Sequence, residues 1–146
     1  MHMLKMLKRF FLFLSLSIGN GYLFVFINKE FFQFNIAEFQ NLSPSELILF
    51  TIFVAPVIET LFFQFYLFKL LKRSRYFRND TLCIIVMSVI FSQCHWYNWL
   101  YVMMTFVGGL ILNTYYVSIL QSTRHSFFLT MLLHSTYNLY GLLFVE

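Results

Sequence analysis

The chain has 146 residues, 60% hydrophobic, 22% aromatic and 11% charged, with a formal net charge of +4. Soluble domains run at roughly 45 to 50% apolar and 25% charged, so this composition, with a mean hydropathy of +0.72, is that of an integral membrane protein. A cytosolic enzyme and a nucleic-acid module are excluded, because the 10 Lys and Arg are scattered between apolar stretches and form no broad basic face.

A helix that crosses a bilayer needs about 20 mostly apolar residues. In chain order, residues 10–27, 44–71, 81–97, 99–120 and 126–145 qualify. The predicted fold is therefore all-α, a polytopic bundle of about five transmembrane helices forming one membrane domain over residues 1–146. The first span also fits a signal peptide cut near Ser17-Ile18-Gly19, but its apolar run continues through Tyr22 to Ile27, which favours an uncleaved helix. Residues 28–42 mix Phe31, Phe32, Phe34, Ile36 and Phe39 with Lys29, Glu30, Gln33 and Glu38, the pattern of a segment lying in the membrane interface.

The second span opens with Ser43-Pro44-Ser45-Glu46, an N-cap serine, a proline at the first helical position and a glutamate three residues after the cap. Pro56 falls inside this span and predicts a kink or local opening there. Cys83 and Cys94 share the third span, where eleven residues place them about 16 Å apart along a helix, too far to pair. They read as small buried apolar residues. Gly108-Gly109 in the fourth span predicts close helix approach.

Lys5, Lys8, Arg9, Lys69, Lys72, Arg73, Arg75, Arg78 and Arg124 all fall on one side of this topology, and of the 10 cations only Lys29 falls opposite, with Glu30, Glu38, Glu46 and Glu146. Cytoplasmic loops carry the excess of Lys and Arg, so the N-terminus is predicted to be cytoplasmic and the C-terminus external.

Inside the spans lie groups that are costly in hydrocarbon, at roughly 2.5 to 3.5 kcal/mol for a carboxylate on insertion scales. Counted at 1.5 Å per residue, Glu59, His95, His134 and Asn138 sit roughly 18, 21, 12 and 18 Å from the cytoplasmic boundary, one slab of the membrane. His134 and Asn138 are four apart and share a helix face. Taken singly, an intramembrane His or Asn is commonly interhelical glue worth about 0.6 kcal/mol. Four such groups at matching depth, with no Lys or Arg within the hydrocarbon to pair with Glu59, point instead to a shared polar cavity. A buried glutamate beside an imidazole can take a proton from water, and a second imidazole with an amide can donate to a developing oxyanion. Ser92 and Cys94 flank His95, but neighbouring helical positions point about 100° apart, which argues against either being an activated nucleophile.

The spacing of these residues resembles the CPBP family of intramembrane glutamic endopeptidases (CAAX protease and bacteriocin-processing, also called Abi). Ala55-Pro56-Val57-Ile58-Glu59-Thr60-Leu61-Phe62-Phe63-Gln64 is similar to its first motif, a double glutamate followed by three residues and an arginine. Phe91-Ser92-Gln93-Cys94-His95 looks like the second, and His134-Ser135-Thr136-Tyr137-Asn138 like the third, the resemblance running over residues 43–141. It implies a metal-independent peptidase without cofactor, in which Glu59 and His95 activate water while His134 and Asn138 stabilise the oxyanion. The implied partners are a peptide or membrane-protein substrate and the lipid bilayer, with no nucleic acid. Two positions depart from the pattern: Thr60 replaces the second glutamate and Gln64 the arginine. Being four apart, they are expected to form a neutral pair able to hydrogen-bond. Competing readings are a non-catalytic relative acting in bacteriocin immunity or as a membrane-protein partner, zinc chemistry through Glu59, His95 and His134, and a transporter.

Overall fold

Hydrocarbon offers no partner to backbone N–H and C=O groups, so a chain this apolar satisfies them within helices. The computed structural model describes residues 2–34 and 42–145, and every regular element among them is helical. Helix α1 spans His2–Ile27, α2 Pro44–Lys72, α3 Asp80–Gln93, α4 Trp99–Leu120 and α5 Ser126–Phe144. Three stretches have the length and apolarity to cross a membrane: Met3–Phe32, Pro44–Lys72 and Trp99–Leu120. Helix α5 has 19 residues but is interrupted by polar ones, and α3 has 14 residues, about 21 Å of rise.

The short α3 corrects the expected span over 81–97. Cys94 closes the helix, His95 N–H turns back to the Ser92 carbonyl (3.0 Å), and Tyr97 N–H bonds the His95 carbonyl (3.0 Å). Asn98 then caps α4 by accepting from Tyr101 N–H at 2.9 Å. A good N-cap close behind the aromatic run ends α3 early, so His95 stands in the turn after the helix and not within it. Cys94 is consequently exposed, against expectation, while Cys83 is buried.

Helix α4 is the hub. One face packs Tyr116 with Phe68 of α2 and with Cys83 and Met87 of α3; another packs Leu112, Tyr115 and Ile119 with Leu133 of α5 and with Phe10, Phe13 and Leu14 of α1. A Cβ on Gly109 would lie 3.2 Å from Ser88 Cα, so this glycine sets the α3–α4 approach; at Gly108 it would meet only the Asn20 amide, at an ordinary 3.6 Å. At the end where Lys and Arg gather, Lys72 bridges Asp80 (2.5 Å) and donates to the Arg78 carbonyl (2.7 Å), and Arg9 donates to the Ser118 carbonyl (2.9 Å).

At the opposite end α1 continues as a π-helical turn, Asn28–Phe32, and the Asn28 side chain brackets the Phe34 backbone with two 3.0 Å hydrogen bonds. Phe32 and Phe34 pack edge-on against Trp99, at 4.9 and 6.2 Å. The rest of the expected interfacial segment, including Ile36, Glu38 and Phe39, lies outside the described residues, as does Glu146.

Helix α2 begins as its sequence predicts. Ser43 Oγ accepts from Glu46 N–H at 3.4 Å, and Ser43 N–H donates to the Glu46 carboxylate at 2.8 Å. Pro56 opens the helix without breaking it: Leu49–Val54 is π-helical, and Ala55 N–H reaches back to the Phe50 carbonyl. After one α turn, Ala55–Glu59, a second π-helical stretch covers Thr60–Tyr66. Such widened turns gather at functional sites, and Glu59 stands between the two.

Candidate active site

Three elements bring three side chains to one point. Glu59 comes from the α turn between the π stretches, His95 from the turn after α3, and His134 from the middle of α5. Glu59 Oε1 is 3.7 Å from His95 Nε2, and Glu59 Oε2 is 3.6 Å from His134 Nε2, so the carboxylate is bracketed by two imidazoles. These separations are slightly beyond a direct hydrogen bond and suit an exchangeable partner held between the carboxylate and the two rings.

The proton on His95 can be assigned. Its Nδ1 is 2.8 Å from the Phe91 carbonyl oxygen, which only accepts, so Nδ1 carries the hydrogen. In the neutral ring Nε2 then presents its lone pair toward Glu59. Phe91 therefore acts twice, since its ring also lies against the His95 ring at 4.5 Å. That pairing gives the spacing of Phe and His a physical reason: His95 N–H bonds the Ser92 carbonyl, so the Phe91 carbonyl lacks its i+4 donor and, besides Cys94 N–H at 3.2 Å, has room to accept from the imidazole.

Asn138 lines the same cavity as Glu59, His95 and His134, a space of about 920 Å³ whose walls are otherwise mainly apolar. Its amide N–H donates to the Thr51 carbonyl at 2.9 Å. Thr51 is five residues before Pro56, and in a π-helical turn its carbonyl would accept from residue 56, where proline has no N–H. Asn138 thus satisfies the carbonyl that Pro56 orphans, and its second amide proton remains for the cavity.

Thr60 and Gln64 do not form the expected pair with each other. Gln64 Nε2 instead donates to Asn113 Oδ1 at 3.0 Å, Asn113 Nδ2 to Ser88 Oγ at 2.9 Å, and Ser88 Oγ to the Ile84 carbonyl at 2.7 Å. The sense of the chain is fixed from its end, because the Ile84 carbonyl can only accept. Asn113 on α4 offers Gln64 an acceptor already oriented by Ser88, and that acceptor holds the glutamine amide. All four of Thr60, Gln64, Asn113 and Ser88 are 0% exposed. The sequence reading missed Asn113, although an asparagine inside an apolar span carries the same signal that singled out Asn138. Thr51 could not have been found, because its part is played by a backbone carbonyl.

Ser92 Oγ donates to the Val89 carbonyl at 2.9 Å and is thereby occupied within its own helix. Among the described residues no group of three His, Cys, Asp or Glu side chains is arranged to hold a metal ion.

A family model described as type II CAAX prenyl endopeptidase, Rce1-like, matches residues 41–140. No curated protein and no solved structure matches the chain. The matched stretch holds the capped and π-widened α2, the His95 turn and the polar face of α5, and by it the chain belongs to the Rce1-like type II CAAX prenyl endopeptidases, membrane proteases of the CPBP family.

Proposed function

We propose that this chain is an intramembrane glutamic-type endopeptidase that hydrolyses a peptide bond near the membrane with a water activated by Glu59 and His95. The observation that carries the reading is the Glu59 carboxylate set between two imidazoles at 3.7 and 3.6 Å in a largely apolar cavity. Water between Glu59 and the His95 lone pair meets two proton acceptors, the requirement for general-base attack on a carbonyl. His134 and the second amide proton of Asn138 supply donors for the oxyanion, where a water-poor site makes them most effective. No metal takes part. The excess of Lys and Arg at one end supports a cytoplasmic N-terminus. The substrate is a peptide or membrane-protein segment, including bacteriocin leaders and similar precursors, and the apolar walls favour hydrophobic residues flanking the cut.

The test is cleavage of an internally quenched peptide library by the purified full chain in vesicles, beside Glu59→Gln. Products from the wild type alone support the peptidase; equal products, or none from either, remove it. The neutral Thr60 and Gln64 favour a second reading, a non-catalytic relative acting in bacteriocin immunity or as a membrane-protein partner. A protective phenotype that survives Glu59→Gln would establish that one.

A further inference from the structure

Five hydroxyls in the helices bond back to a carbonyl of their own helix: Ser88 to Ile84 (2.7 Å), Ser92 to Val89 (2.9 Å), Thr105 to Tyr101 (2.9 Å), Ser118 to Tyr115 (2.8 Å) and Thr136 to Leu132 (2.7 Å). Thr60 and Thr130 do not, although both are 0% exposed and each has an unpartnered Oγ1. Three more buried side-chain atoms on the same pair of helices lack a protein partner: Thr51 Oγ1, at the level of Asn138, and Gln64 Oε1 and His134 Nδ1 farther along.

The register of α2 against α5 puts Thr60, Gln64, Thr130 and His134 at neighbouring depths of the bundle, with Thr51 apart from them beside Asn138. The helices run antiparallel, pinned at Thr51–Asn138 (2.9 Å), Glu59–His134 (3.6 Å) and the ring contact of Phe65 with Phe127 (6.2 Å). Thr60 and Gln64 on one side and Thr130 on the other fall between the last two of these contacts. His134 is one turn beyond Thr130 on the same face. The four atoms also divide by chemistry: two hydroxyls that donate, an amide oxygen that only accepts, and an imidazole nitrogen that accepts when its proton is on the other side. Two donors and two acceptors are what buried water is able to satisfy, and buried polar groups without a protein partner are where such water is found.

Resting on the catalytic part given above to His134, we propose that Thr130 is a positioning residue for that histidine. Ordered water held by Thr60, Gln64 and Thr130 accepts from the two hydroxyls and donates to Gln64 Oε1 and His134 Nδ1. The ring proton is thereby fixed on Nε2, 3.6 Å from Glu59 Oε2. His95 and His134 then present opposite faces to the carboxylate, a lone pair from the first and an N–H from the second, as base and oxyanion donor require. Neutral Thr60 and Gln64 keep this layer polar without burying charge.

The experiment is 15N NMR of the full chain, 15N-labelled at histidine, in micelles, with the His134 signals assigned by their loss in His134→Gln. The wild type should show Nε2 protonated and Nδ1 bare. Thr130→Val should shift His134 toward a mixture of tautomers and lower Tm by about 2 to 4 °C, and Thr130→Ser should restore both. A wild-type His134 protonated at Nδ1 overturns the proposal. So does a Thr130→Val protein as stable as wild type or more so, the result expected when a dry, unbonded hydroxyl is replaced by a methyl. Because neither readout needs turnover, a correct tautomer in a chain that cleaves nothing would sink the peptidase reading and leave this assignment standing.

Discussion

Between Pro44 and Glu59, α2 turns its polar groups toward a wide cavity: the Thr51 carbonyl freed by Pro56 is met by Asn138, and the Glu59 carboxylate faces two imidazoles. From Thr60 to Gln64 the same helix turns its polar side chains into a closed layer, where Gln64, Asn113 and Ser88 form one directed chain of hydrogen bonds. Both halves contain a π-helical stretch, so backbone widening alone does not make a site. The difference lies in what the freed space admits. The first half has room for a substrate and keeps its ionisable groups slightly apart; the second binds its amides directly and gains rigidity. On the proposed reading both are needed, because a carboxylate that serves as a base must be held by neighbours that do not themselves move.

The largest effect should come from the open half. Glu59→Gln keeps shape and hydrogen bonding but removes the proton acceptor, and should cut kcat by about 10² to 10⁴ or to background. His95→Ala should be as severe, and the double variant little worse, since residues acting as a unit are strongly non-additive. EDTA should leave the wild-type rate unchanged. Additive losses in the double variant would break the idea that the two groups share one water.

The sealed half should answer in stability. Gln64→Arg places a charge against the Asn113 amide without a counter-ion and should cost about 3 to 5 kcal/mol. Thr60→Glu alone should be comparably damaging, and the two together tolerated, because together they supply opposite charges at positions four apart on one helix. Tm of the three variants in the same detergent measures this. A stable Gln64→Arg single variant would mean that the layer is open to water from outside and is not sealed.

Asn138→Ala probes the seam between α2 and α5. It removes a donor aimed at the cavity and orphans the Thr51 carbonyl, so kcat should fall about 10²- to 10³-fold and stability by about 1 to 3 kcal/mol. Loss of activity with no loss of stability would separate the oxyanion part from the structural one.

How far these contrasts were legible in the sequence differs between the halves. That Glu59, His95, His134 and Asn138 line one cavity is legible because ionisable and amide groups in apolar runs are expensive and share a depth. Pro56 and the Ser43 cap announced the local geometry of α2. His95 was misplaced onto a helix because Trp96, Tyr97 and Trp99 are as apolar as a span, and hydropathy does not register that Asn98 caps the next helix. The Thr60–Gln64 pair was expected to close on itself because spacing along one helix is visible in a sequence, whereas the competing acceptor, Asn113, lies 49 residues away. Local rules carried the open half; the sealed half is made by partners distant in the chain.

The smallest effect concerns how the open half is held at its start. Ser43 accepts from Glu46 N–H and its own N–H is taken by the Glu46 carboxylate, two donors satisfied at an exposed helix end. Ser43→Ala removes one of these bonds, and loss of an N-cap costs about 1 kcal/mol, read as a fall in Tm of about 2 to 4 °C. The loss should be local. Hydrogen exchange should quicken at the first-turn amides of α2, from Ser45 to Leu47, while those below Gln64 keep their protection, since the Asn113 chain holds that half independently. Activity should change less than twofold, because Asn138 still pins Thr51 two turns farther on. Faster exchange spreading past Glu59 into the sealed half would show that α2 opens as one unit and that the division drawn at Glu59 does not exist in its dynamics.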